Sequence, residues 1–166
     1  MGIIYMTTAE VHEVTKYVAG FLFSSDRSKV ALIHKTHGPG CVVGKWNAIG
    51  GKNKPGEPGL PDESGSAAMF REFEEEGGVA VGWTLFLRLL GSDWIVEFYH
   101  AFDTMKLEAV RTIESEEVRI FPVDQLPTVV PNLRWIIPMA LGHENDHVWV
   151  YEVREKETFA PRSEAL

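Results

Sequence analysis

Short apolar runs separated by polar turns make up most of the chain, with two segments of helical period among them. Residues 17–23 and 30–34 are rich in β-branched and aromatic side chains, and the Ser-Ser-Asp-Arg-Ser stretch between them predicts a hairpin. Residues 37–44 hold three glycines and a proline and predict a loop. Residues 46–49 predict a short strand running into Gly50-Gly51. A helix follows from Ser64 or Ser66, either a good N-cap, to Gly77-Gly78, which predict a left-handed stop. Its inner face is expected to be Ala67, Phe70, Phe73 and Met69. Further strands are predicted at 83–90, 94–102, 118–123 and 148–153, with a second helix over 133–141. Strands interleaved with two helices predict an α/β fold, an α/β/α sandwich around a central mixed sheet. The ordered core is expected over about 16–155, with loose ends on either side.

Composition narrows the partners. A length of 166 residues suits one domain, and a hydrophobic fraction of 45% supplies enough apolar surface for a packed core. A net charge of −8 repels polyanions, so a nucleic-acid duplex is not an expected partner. The single cysteine, Cys41, excludes an internal disulfide and fits a reducing, cytoplasmic setting. No apolar run approaches the length of a membrane span, and the first six residues, Met-Gly-Ile-Ile-Tyr-Met, have neither the basic start of a secretory signal nor the sixth-position Ser or Thr of a myristoylation site. Repeats and low-complexity stretches are absent from the sequence. Both a monomer and a homodimer are compatible with it.

The chemistry concentrates in Arg-Glu-Phe-Glu-Glu-Glu-Gly-Gly-Val at 71–79. On a helix Glu72, Glu75 and Glu76 stand at i, i+3 and i+4, so three carboxylates share a face and repel one another. One reading is a solvated acidic face. The other is a site for a hard divalent cation, Mg²⁺ or Mn²⁺, which turns that repulsion into ligation by oxygen.

The order strand end, glycine pair, loop and acidic helix resembles the Nudix box of the Nudix hydrolases, G-x5-E-x7-R-E-U-x-E-E-x-G-U with U apolar. Arg71, Glu72, Phe73, Glu75, Glu76, Gly78 and Val79 match its second half. The first half departs from it: Gly51 and Glu57 keep the first spacing, whereas Glu63 and Arg71 keep the second. An insertion of six residues within 52–61 accounts for both, and Glu63, whose spacing adjoins the helix, is the better counterpart of the first box glutamate.

The resemblance implies hydrolysis of a diphosphate linked to another group, by water attack on phosphorus. It implies Glu72, Glu75 and Glu76 as metal ligands, Arg71 as the residue that holds the helix carboxylates, and a distal glutamate from 114–117, matched to Glu117 with Glu114 and Glu116 solvated. Gly50 and Gly51 would admit the phosphates and Lys52 would offer them charge. Residues 46–52 look like the same stretch in MutT-type triphosphatases of oxidised purines. That likeness implies Asn47 as a base reader through a bidentate amide contact, with a turn-capping role as the alternative. Asn132 stands where that group carries an acidic base contact, a departure from its pattern. Phe23 or Phe21 would line the base pocket, strand alternation making one of them core, and Trp135 reads as core. The implied ligand is a small nucleotide: a nucleoside triphosphate first, then ADP-ribose, a dinucleotide or a nucleotide sugar, and third a nucleotide held without turnover.

Overall fold

The computed structural model describes residues 14–143 and 149–155. A mixed sheet runs through the middle. Its strands are β1 (Thr15–Phe23), β2 (Lys29–His34), β3 (Trp46–Asn47), β4 (Thr84–Leu90), β5 (Trp94–Phe102), β6 (Val118–Pro122) and β7 (Tyr151–Arg154). The path is β3-β2-β1-β5-β4-β7, and β6 pairs with β2 off that path. The β1–β5 and β4–β7 pairs are parallel, the others antiparallel.

Alternation along β1 divides the core in two. Val18 and Leu22 face the helix α1 (Gly65–Gly77), where they join Met69, Phe73 and Tyr99. Phe21 and Phe23 face α3 (Leu133–Gly142), where they join Phe86, Phe98, Leu133 and Ile136. The expected α/β/α sandwich around a mixed sheet is therefore the observed fold. A third helix, α2 (Thr104–Ala109), is not foreshadowed by the apolar pattern: it spans only 6 residues, and Leu107 alone among them is buried.

Local rules fix the ends of α1. The Ser64 hydroxyl accepts from the Ala67 N–H at 3.2 Å, so Ser64 rather than Ser66 is the N-cap. Gly78 takes φ 72°, and its N–H donates to the Glu74 carbonyl at 3.0 Å. The buried face needs correction: Ala68, Met69 and Phe73 are buried, whereas Ala67 and Phe70 are exposed. Trp135, expected in the core, is also exposed, at 39%. The closing strand begins at Tyr151 rather than 148, which lies outside the described residues, as do the N-terminal lead-in and the tail from 156. Among the described residues no helix is long and apolar enough to cross a membrane.

Two histidines are buried where α3 ends against β5. His100 Nε2 and His143 Nδ1 lie 2.9 Å apart, and His143 Nε2 is 3.0 Å from the Trp149 carbonyl. A carbonyl only accepts, so His143 donates to it through Nε2 and, as a neutral ring, accepts from His100 through Nδ1. Burial first, then the neighbouring His143 and Arg27, lowers the His100 pKa from 6.5 to about 4. The unfolded chain therefore takes up the proton first. The stability that neutral His100 contributes is complete above pH 6.5 and falls towards pH 4, by roughly 3 kcal/mol in full. Chemical denaturation with EDTA present at pH 7.0 and pH 4.5 is expected to show a smaller acid loss in His100→Gln than in the wild type, read as the difference between the two proteins. Equal losses would remove His100 as the cause.

Candidate functional site

Helix α1 presents its carboxylates in three environments. Glu76 shares the buried face with Met69 and Phe73, Glu72 is largely covered, and Glu75 is 44% exposed. Arg71 ties two of them together with Glu63. Its Nε and one terminal nitrogen donate to the two Glu63 oxygens at 2.8 and 2.9 Å, and the other terminal nitrogen donates to Glu72 at 2.6 Å and Glu75 at 3.0 Å. A further bond at 3.3 Å reaches the Lys52 carbonyl, which anchors the loop before the helix. The Arg71 hydrogen bonds, above all, lower the Glu63 pKa to about 2. Glu57 lies in the exposed loop, and none of its side-chain atoms has a partner among the described residues.

The glycine pair sits against these carboxylates. A Cβ on Gly51 would stand 2.5 Å from the Glu72 carboxyl group, and one on Gly50 would enter the Val18 backbone. The bare backbone at Gly51 leaves the Glu72 carboxylate its present place. The Gly50 backbone N–H favours the ionised form of Glu76, whose Oε2 is buried with no partner among the described residues. Burial first, then the charges of Glu72 and Glu116, raises the Glu76 pKa to about 7 against the opposing pull of Lys35 and Gly50. In linkage terms this opposes His100, because a carboxylate that is hard to ionise favours the folded state as pH falls from 7 to 4.5.

The distal glutamates differ from the expected pattern. Glu117 is 48% exposed and pairs with Arg119, which lies over the Trp46 ring. Glu116, expected to be solvated, is 11% exposed. Its carboxylate pairs with Lys35 and accepts the N–H groups of Thr36 at 2.6 Å and His37 at 3.2 Å. Burial works to raise its pKa, but the Lys35 and backbone hydrogen bonds prevail and bring it to about 2. Glu116 rather than Glu117 is the distal carboxylate whose charge acts on Glu76. The sequence signal that separates them is one residue of register, since β6 begins at Val118 and pairs it with Ile33. Lys35 was not singled out at all from the sequence, where it is one lysine at a strand end.

A cleft of about 230 Å³ opens on the α3 face of the sheet, lined in part by Tyr17, Asn47, Gly50, Gly51, Val130 and Asn132. Asn47, Asn132 and both glycines thus meet in one place. Asn47 Oδ1 accepts from the Ala48 N–H at 2.9 Å, the turn-capping role, which leaves its NH₂ as a donor. Asn132 Oδ1 is buried and unpaired among the described residues. Phe23 does not reach the cleft. It is fully buried, stacked on Phe21 at 5.9 Å and Phe102 at 5.3 Å, because residues two apart on a strand share a face and both phenylalanines pack into the core. Lys52 does not line this cleft either; its side chain borders a neighbouring one. Among the described residues no three His, Cys, Asp or Glu side chains stand together as a ready-made ion cage, and Arg71 engages both Glu72 and Glu75.

No family model matches the sequence, and no curated protein matches it. Solved structures do. A NUDIX hydrolase from Nitrosomonas europaea superposes with a TM-score of 0.58 at 17% identity, over 86% of this chain and 80% of that one. The chain has the Nudix fold. A MutT NUDIX hydrolase from Burkholderia pseudomallei gives 0.59 at 21% identity, over 76% of this chain and 98% of that one. The NUDIX domain of Shewanella oneidensis NrtR, complexed with ADP ribose, gives 0.59 at 22% identity, over 78% and 87%. The loop before α1 is pinned by Glu63 and Asp62, which accept from the Lys54 and Gly56 N–H groups at 2.9 Å each.

The two candidates for the first box glutamate separate by stability. Glu63→Gln removes the charge and one of the two oxygens that accept from Arg71, and is expected to cost about 2 kcal/mol in urea unfolding, whereas Glu57→Gln is expected to stay within about 0.5 kcal/mol. Equal effects would contradict the assignment of Glu63.

Proposed function

We propose that this chain is a Nudix pyrophosphohydrolase that needs a divalent cation and cleaves a nucleoside triphosphate to the monophosphate and pyrophosphate. One observation carries the reading: Gly50 and Gly51 line the cleft and the Glu72 carboxyl group packs against Gly51, so only these two bare peptide units separate a ligand in the cleft from the carboxylates. Mg²⁺ or Mn²⁺ suits the donor set. Glu76 Oε2 is a buried oxygen with no partner among the described residues, and the carboxylates of Glu72, Glu75 and Glu76 are hard oxygen donors. Glu72, Glu75 and Glu76 would hold the cation, which when bound neutralises diphosphate oxygens and acidifies a water.

The chain's own groups do the rest. Arg71 fixes the Glu72 and Glu75 carboxylates and keeps them from repelling each other. Glu116, positioned by Lys35, Thr36 and His37, supplies the distal negative charge in place of Glu117. Asn132 Oδ1 accepts a hydrogen bond from the base, and the Asn47 NH₂ donates one. An amide at 132 accepts and donates equally, so selection of oxidised over ordinary purines is expected to be weak. ADP-ribose is the second reading, because a protein of the same fold at 22% identity is complexed with it.

The test is purified protein with Mg²⁺ and a panel of nucleoside triphosphates, ADP-ribose and nucleotide sugars, reading pyrophosphate against orthophosphate. Pyrophosphate release from a triphosphate, abolished in Glu72→Gln and Glu76→Gln, is the expected result. Glu116→Gln is expected to lower kcat more than Glu117→Gln, because Glu116 is the distal carboxylate whose charge acts on Glu76. Nucleotide binding without turnover would make the chain a binding module instead.

A further inference from the structure

We infer that a second cleft, on the α1 face of the sheet, binds a small hydroxyl-bearing anion of the sugar-phosphate type. It is separate from the nucleotide cleft. Lys16 lines this cleft and Tyr17 and Ala19 line the other, and since Lys16 alternates with Tyr17 along β1 while Ile95 and Glu97 alternate with Val96 along β5, the two clefts open on opposite faces. The floor comes from three adjacent strands: Lys16 of β1, Ile95 and Glu97 of β5, and Arg88 of β4. The wall is residues 61–65, where the inserted loop enters α1. The volume is about 330 Å³, and an adjoining lobe of about 170 Å³ shares Lys16, Asn53 and Asp62 and adds Lys52 and Lys54. That is room for a pentose phosphate in the main lobe alone.

The polar groups define the ligand. Asn53 is nine-tenths buried and lines both lobes. Its backbone N–H donates to the Lys16 carbonyl and its NH₂ to the Glu63 carbonyl, but its side-chain oxygen has no partner among the described residues. A buried acceptor left empty costs on the order of 1–3 kcal/mol, a cost that a ligand hydroxyl removes.

The carboxylates around it are already engaged. Glu63 is held by Arg71, Glu97 accepts from Arg88 Nε at 2.9 Å and the Tyr99 hydroxyl at 2.8 Å, and Asp62 accepts from the Gly56 N–H. Lys16 and Lys52 have no ionic partner among the described residues, Lys54 has only a 3.9 Å contact with Glu75, and the terminal nitrogens of Arg88 are unused. In a chain of net charge −8 this is a local excess of uncommitted cations beside one uncommitted acceptor. An anion that also carries a hydroxyl satisfies both.

The experiment uses the full chain in EDTA, so that binding does not pass through a divalent cation. Ribose 5-phosphate, ribose and inorganic phosphate are titrated by calorimetry and by amide chemical shifts. Expected is binding of ribose 5-phosphate tighter than either fragment, with shifts at Asn53 and Gly65. Lys16→Glu, at an exposed position, is expected to weaken it at least tenfold, and Asn53→Asp, which keeps the acceptor but adds a charge, to weaken it as well. Asn132→Ala, in the other cleft, is expected to leave it unchanged. Absence of binding, binding of phosphate as tight as that of the sugar phosphate, or affinity that survives Lys16→Glu would each overturn the inference. None of these outcomes bears on the hydrolase reading, which needs the cation that EDTA removes.

Discussion

Arg71 lies 19% exposed among Glu63, Glu72 and Glu75 and donates to all three, and the rest of the site is arranged around that fan of bonds. Three carboxylates gathered on one side of a short helix repel each other. The guanidinium cancels that repulsion where it is strongest and sets the rotamers of the side chains it touches. It also reaches the Lys52 carbonyl, so the loop before α1 is tied to the same group. Glu76 is the carboxylate that Arg71 does not compensate. It turns into the core instead, where burial makes its ionised form costly and its second oxygen goes unpaired. One compensated set beside one uncompensated, buried oxygen is an arrangement that favours an incoming cation.

The sheet supplies the second half of the arrangement. Gly50 and Gly51 follow β3 and run beside β1, where Gly20 and Val18 hydrogen-bond to the carbonyls of Ile49 and Gly51. Without side chains they let α1 approach from one face while the cleft of Asn47 and Asn132 opens on the other. Two bare peptide units thereby separate the α1 carboxylates from that cleft. On the α1 face, further along β1, a different set of groups with uncommitted cations is presented to solvent, which is why one small fold can offer two chemically distinct clefts.

Much of this was legible locally. The caps of α1 follow from Ser64 and Gly78, the alternation of β1 and the length of β5 from their apolar residues, and the carboxylate spacing from 71–76. What failed was decided by contacts between distant segments. The inner face of α1 was misplaced because Phe70 carries apolar weight yet points to solvent, while Ala68 and Met69 fill the space against Val18 and Tyr99. Phe23 was offered to the pocket because a strand face says nothing about whether a helix covers it; α3 does. Glu116 and Glu117 are neighbours of identical chemistry, and only the β2–β6 register and Lys35 decide which one turns inward. α2 fell below the length at which a hydrophobic period can be recognised.

The central claim is that Glu72 and Glu76 form the heart of a hard-cation site. The direct measurement is paramagnetic broadening of backbone amides on titration with Mn²⁺, without nucleotide. Broadening is expected to centre on Gly50, Gly51 and residues 72–76, to be displaced by excess Mg²⁺, and to be lost in Glu72→Gln/Glu76→Gln. Broadening spread evenly over the acidic surface, or centred elsewhere and indifferent to that double substitution, would contradict it.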